Sequence, residues 1–233
     1  MRTLGLIGGM SWESTAIYYR HLNELARERL GGLHSARLLL WSFDFAEVAK
    51  LQHAGDWAGC ADLLADAASR LERGGAEVLV LCTNTMHRLA NEVQAAVAIP
   101  LLHIADATGL AIRRTRCRRP ALLATRFTME QEFYKGRLRD RHALETIVPA
   151  EAGRELVHGI IYDELCRGTV RAESKAACLR ELDQLRRAGA DGIILGCTEL
   201  TMLIGKSDTD LPVFDTTRIH AEAAMDFALG NAP

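Results

Sequence analysis

Long apolar runs are missing from this chain. None approaches the roughly 20 residues that a membrane-spanning helix requires, although 48% of the residues are hydrophobic, so no bilayer span is expected. The N-terminus carries one basic residue and a short apolar run ending at Gly8-Gly9. That run is too short for a secretory signal, and a cytoplasmic location is the expectation. Cysteine is sparse: six residues, none in a CxxC pair. A zinc ribbon and a disulfide framework are both excluded, and the thiols are expected to stay reduced. Charge of one sign is lacking too. A formal net charge of −2 gives no electrostatic case for nucleic acid or an anionic membrane. The basic run Arg113–Arg119 is local and reads as a solvated helix end and loop.

What the chain has is alternation. Its 233 residues suit one large domain or two small lobes. Short apolar strands are predicted at Leu4–Ile7, Arg37–Trp41, Glu77–Leu81, Leu101–Ile104, Pro120–Ala124, Glu145–Val148, Gly192–Leu195 and Pro212–Phe214. Between them lie amphipathic helical stripes, for example Tyr18, Leu22, Leu25 and Ala26, closed by Gly31-Gly32. Ser42–Gly55 reads as a loop with a turn of helix. Thr128 and Gln131 have capping-box spacing, so a helix start is placed there. Trp12 and Trp41 read as core. The pattern is that of α/β lobes, each a parallel sheet flanked by helices. We place the lobes at residues 1–114 and 115–215.

One unit occurs twice. Leu79–His87 reads LVLCTNTMH, and Ile193–Met202 reads IILGCTELTM. LERGGAE precedes the first and LRRAGAD the second. Each copy is a helix end, a Gly-Ala turn, an apolar strand, then Cys-Thr. The second copy has one extra residue, Gly196, before its cysteine. Both Cys82 and Cys197 stand at carboxyl ends of strands, where open α/β sheets bind ligands. A helix N-terminus there favours a thiolate over a thiol. Cys60, Cys117, Cys166 and Cys178 have no such context and read as small buried hydrophobes. Two thiols with one ligand suggest two-base proton transfer at carbon. Charge then builds on an adjacent carboxylate, which needs donors. The candidates are Met10-Ser11, Asn84-Thr85, the segment Thr125, Arg126 and Thr128, and Thr198-Glu199, each expected to open a helix. Glu199 could also tune the neighbouring thiol. Cys82 and His87 lack a matching second ligand pair, so no metal is expected. GLIGGMS is not GxGxxG, which removes a dinucleotide loop. His103 and His220 read as packing and hydrogen-bonding residues.

The segments GLIGGMSWESTAIYY, LCTNTMH, LLATRFTMEQEFYKGRL and ILGCTEL resemble the aspartate/glutamate racemase family, in its aspartate-racemase-like branch. The similarity extends through HIADAT and the DTTRIHAEAA tail. It implies a cofactor-independent amino-acid racemase, two pseudo-symmetric lobes with an active-site cleft between them, and Cys82 and Cys197 as opposed catalytic acid/base thiols. It also implies a small amino-acid substrate, aspartate or a broader range of small or polar amino acids, a homodimer, and a C-terminal helix, residues 216–231, that packs back on the first lobe.

The chain departs from that pattern at two places. Alanine stands at positions 121 and 124, where relatives tend to have glycine. The segments Phe43–Gln52 and Ile160–Cys166 offer no arginine, and Lys50 alone is basic there, so a second substrate carboxylate lacks an evident partner. Gln52 suits a polar side chain instead. Two rivals remain: a maleate isomerase or arylmalonate decarboxylase of the same superfamily, and a two-lobed amino-acid-binding protein without turnover.

Overall fold

The computed structural model describes residues 1–231. Contacts divide the chain into two compact units, Met1–His103 with the chain from His220 onward, and Ile104–Ile219.

The first unit holds β1 (Leu4–Gly8), α1 (Trp12–Leu30), β2 (Leu38–Ser42), α2 (Phe45–Ala54), α3 (Trp57–Arg73), β3 (Val78–Leu81), α4 (Ala90–Ala95) and β4 (Leu101–Leu102). The sheet is parallel, in the order β2-β1-β3-β4. Successive strand side chains alternate between faces. On one face Ile7, Leu79 and Leu81 pack with Leu64, Ala67, Ala68 and Leu71 of α3. On the other, Leu4, Leu6, Val78 and Val80 pack with Tyr18, Leu22 and Leu25 of α1. Helix α1 starts where Ser11 accepts a hydrogen bond from the Ser14 N–H.

Helix α2 lies in the stretch expected to be a loop. Asp44 caps it, Gly55 ends it in the left-handed region, and only Val48 and Gln52 are buried. A stripe that thin is hard to detect by periodicity. Trp12, expected in the core, is 67% exposed. It opens α1 on the side away from the buried Ser14, Thr15 and Tyr18. Trp41 is partly buried against the first face.

The turn after β1 depends on Gly9, at φ +83°, where an added Cβ would collide with the backbone N and O of Phe43. Its N–H donates to Thr15 Oγ1 at 2.8 Å. Gly9→Ala should therefore destabilise the protein by roughly 3 kcal/mol, from backbone strain plus a clash with immovable backbone. Urea denaturation of the variant against wild type measures it.

The second unit holds α5 (Ile104–Arg113), β5 (Pro120–Ala124), α6 (Arg126–Glu130), α7 (Glu132–His142), α8 (Glu151–Gly159), α9 (Ala172–Arg187), β6 (Gly192–Gly196) and β7 (Val213–Asp215). Its sheet is parallel, in the order β5-β6-β7. The expected boundary near residue 114 is displaced. Helix α5 buries Ile104, Ala105 and Ile112 in the core of the second unit. Asp106 holds Arg137 through hydrogen bonds of 2.7 and 2.6 Å. The basic run marks a helix end, not a domain border.

Two further expectations change in this unit. The strand at Glu145–Val148 shrinks to one bridge, Ala121 to Ile147. Ile147 N–H donates to Pro120 O, and Leu122 N–H donates to Ile147 O. The next donor along that ladder would be residue 149, a proline, which has no N–H. The cap of α6 is Thr125, whose hydroxyl accepts from the Thr128 N–H, so the cap lies three residues before Thr128. Cys117 is more than a small hydrophobe: its thiol donates to Asp191 Oδ1 at 2.9 Å. Burial, then the Asp191 carboxylate, pushes it up to about 12.

Helix α10 (Thr216–Leu229) begins in the second unit and continues in the first. Ala221, Ala224, Met225 and Ala228 complete the α1 face of the first sheet. There, the Tyr18 hydroxyl donates to His220 Nδ1 at 2.9 Å, and His220 Nε2–H donates to Leu102 O at 3.0 Å. The rings of His87 and His103 lie 4.7 Å apart, and those of His87 and His220 5.7 Å apart. His103 and His220 thus fill the packing roles expected of them.

Candidate active site

Each sheet has a polar rim at the carboxyl ends of its strands. In the second unit, β6 ends at Gly196 and Cys197 follows, leading into a tight helical turn over Thr198–Met202. The Cys197 thiol donates to Glu199 Oε2 at 2.9 Å. Burial, then the charge of Glu199 and the neighbouring Cys166, raise its pKa well above that of an ordinary cysteine. The expected thiolate-favouring helix start is not what governs the resting state. The turn is one short 3₁₀ segment, and desolvation outweighs its dipole. Thr198, beside it, accepts a 2.8 Å hydrogen bond from the Thr217 hydroxyl.

In the first unit, β3 ends at Leu81 and Cys82 follows. Its N–H donates to Ile7 O at 2.9 Å, extending the ladder by one residue. The Cys82 side chain therefore falls on the same face as Val78 and Val80 and joins their cluster with α1 and α10. It is 0% exposed, and its thiol faces the carbonyl of Val80 at 3.7 Å. Burial alone raises its pKa strongly.

Strand register decides which residue corresponds to Cys197. In the first unit Ile7 pairs with Leu81; in the second Leu123 pairs with Leu195 and Ala124 with Gly196. Leu81 thus corresponds to Leu195, Cys82 to Gly196, and Thr83 to Cys197. The extra residue in the second copy is a shift of the cysteine along one frame. Thr83 is partly exposed. Its carbonyl lies 2.7 Å from His87 Nδ1.

A profile of Asp/Glu/hydantoin racemases matches residues 7–224. The chain belongs to this family. A Yersinia pestis protein classed among the Asp/Glu racemases has a solved structure that is 52% identical; the alignment covers 98% of this chain and 100% of that one, with a TM-score of 0.91. An aspartate racemase homologue from Pyrococcus horikoshii is 34% identical over 98% of this chain and 100% of its own, with a TM-score of 0.85. The broad-specificity amino-acid racemase RacX of Bacillus subtilis is 23% identical over 69% of this chain and 68% of its own length. The family relation agrees with the α/β fold of two parallel sheets.

The other expected residues of the family site divide by unit. Met10 and Ser11 are buried at the end of β1, with Ser11 committed to capping α1. Asn84 and Thr85 are buried beyond β3 and enter a 3₁₀ turn, not an α-helix. Gln52 is buried and points its amide at Met86 Sδ, 2.9 Å away. In the second unit, Thr125 and Thr128 place their hydroxyls 3.2 Å apart at the end of β5. Arg126 contributes its backbone N–H, which donates to His158 Nδ1 at 3.2 Å. Its guanidinium is exposed and lies 4.0 Å from Glu130. Among the described residues no cluster of His, Cys, Asp or Glu suits a metal ion, and no helix is long and apolar enough to cross a membrane.

Proposed function

We propose that this protein is a cofactor-independent amino-acid racemase that moves a proton at the α-carbon, with Cys197 as acid/base catalyst. The observation that carries this reading is the 2.9 Å hydrogen bond from Cys197 to Glu199 at the rim of β6. When substrate arrives, Glu199 takes the thiol proton and the thiolate abstracts the α-proton. A thiol with a raised pKa is a strong base once ionised, which suits removal of a weakly acidic proton. We assign the return of a proton on the other face to Cys82, the thiol that follows β3 as Cys197 follows β6. The Thr125, Thr128 and Thr198 hydroxyls, with the N–H groups around them, are suited to hold the substrate carboxylate as charge develops on it.

The preferred substrate is a small or polar uncharged amino acid. Lys50 is exposed, whereas Gln52 is the buried polar group of its segment. An amide binds a hydroxyl or carboxamide and gives a second carboxylate no opposite charge. The broad specificity stated for RacX, in the same family, is consistent with this.

One feature favours a second reading. Cys82 is fully buried, whereas Cys197 is bonded to Glu199 at a polar rim, and a single working thiol also suits one-sided protonation, as in a decarboxylase. The test is α-proton exchange in deuterated water over a panel of L- and D-amino acids, with arylmalonates alongside. Exchange and inversion of polar amino acids are expected. Decarboxylation without any amino-acid exchange would establish the second reading.

A further inference from the structure

Cys166 takes no part in the proposed chemistry, yet it sits beside it. It belongs to the short 3₁₀ turn Leu165–Arg167, which follows a π-turn over Ile160–Glu164 and closes at Gly168, φ +70°. This turn packs on the Thr198–Met202 turn. The Cys166 thiol donates to Glu199 Oε1 at 3.7 Å, while Cys197 donates to Oε2 of the same carboxylate at 2.9 Å. One carboxylate thus holds two thiols, one on each oxygen. Five of the six cysteines are buried, and Cys166 alone is partly open to solvent.

We propose that Cys166 is an oxidation site for hydroperoxides that closes onto Cys197 as an intramolecular disulfide, reversibly blocking the catalytic thiol. Its place in the unit supports the assignment. An oxidant reaches the open thiol first, and the partner that resolves it is held by the same side chain. The turn bearing Cys166 is already irregular, so it can approach without breaking an α-helix. In the first step Cys166 Sγ attacks peroxide. An S–O bond forms, the O–O bond breaks, and the thiol proton leaves through Glu199 to give water. In the second step Cys197 Sγ attacks the sulfenic sulfur. An S–S bond forms, the S–O bond breaks, and hydroxide leaves with the Cys197 proton as a second water. The two sulfurs are oxidised and one peroxide is reduced. The Glu199 carboxylate must swing out from between the sulfurs, because a disulfide needs an S–S separation of about 2.05 Å.

The inference rests on the racemase reading for its consequence, but its test does not. Full-length protein is treated with hydrogen peroxide, denatured, alkylated and digested. A peptide joining Cys166 to Cys197, with a loss of about 2 Da, is expected in wild type and absent from Cys166→Ser and Cys166→Ala. Both variants should melt like wild type, since the residue is partly exposed. Any α-proton exchange should fall roughly tenfold or more as the link forms and return with dithiothreitol. Two freely alkylated thiols, a link to another cysteine, or Cys166 stopped at sulfinic acid would overturn the proposal. A link in a protein that never exchanges α-protons would uphold it and reject the racemase reading. Exchange without a link would do the reverse.

Discussion

Cys197→Ala should lower kcat/KM for α-proton exchange by about 10²–10⁴-fold, the usual contribution of a positioned acid/base group. Cys82→Ala should separate exchange from inversion. Deuterium still enters at the Cys197 side for one enantiomer, but the antipode does not form. The Cys82 thiol lies in the α1 face of the first sheet with Val80 and Tyr18, so its loss should also cost about 1 kcal/mol of stability, through a small cavity. Thr83→Ala should leave turnover within a few-fold of wild type. Glu199→Gln removes the acceptor for the thiol proton while keeping its shape. Its activity should survive only at higher pH, where solvent base can ionise the thiol. Each is read by ¹H NMR loss of the α-signal and by chiral chromatography. Full racemisation by Cys82→Ala, or a dead Thr83→Ala beside it, would overturn the two-thiol mechanism.

Acid should unfold the protein through His220. Burial, then the neighbouring His87, lowers its pKa from 6.5 to about 3. The unfolded chain binds a proton below pH 6.5 that the folded chain refuses until about pH 3. Stability is therefore intact above pH 6.5 and is lost as pH falls through that window. At 1.36 kcal/mol per unit, the loss is about 2 kcal/mol by pH 5 and on the order of 4–5 kcal/mol by pH 3. The geometry supports the direction independently: Nε2–H is committed to Leu102 O, so Nδ1 must accept from Tyr18. A proton on Nδ1 would oppose the Tyr18 donor. Urea midpoints at pH 7.5 and 5 test this, with His220→Gln as reference. The gap between wild type and variant should shift by about 2 kcal/mol across that range, and a gap that stays constant would assign the acid sensitivity to other groups.

Much of the fold was legible because apolar runs and amphipathic stripes are direct consequences of burial. Val78–Leu81 and Gly192–Gly196 are buried throughout, as runs inside covered parallel sheets must be. What stayed hidden had thin or misleading signals. Helix α2 buries two residues. Pro149 ends a pairing that the apolar residues before it suggest. Thr128 has cap-like spacing, yet Thr125 holds the strand-end geometry that a cap needs. At the site, the two Cys-Thr motifs were legible as strand ends, and Cys82 and Cys197 do follow β3 and β6. The motif carries no strand phase: one inserted residue reverses which face a side chain takes, so the burial of Cys82 beside Val80 was not legible.

Helix α10 has a consequence for how the chain acquires its structure. The first unit lacks one wall of its core until Ala221, Ala224, Met225 and Ala228 arrive, after the whole of Ile104–Ile219. During synthesis the usual N-to-C order of domain completion is therefore inverted. The second unit has all its parts while the face of Leu4, Leu6, Val78 and Val80 still has only α1 over it. A nascent chain stalled after Ile219 carries a finished second half and an incomplete first one.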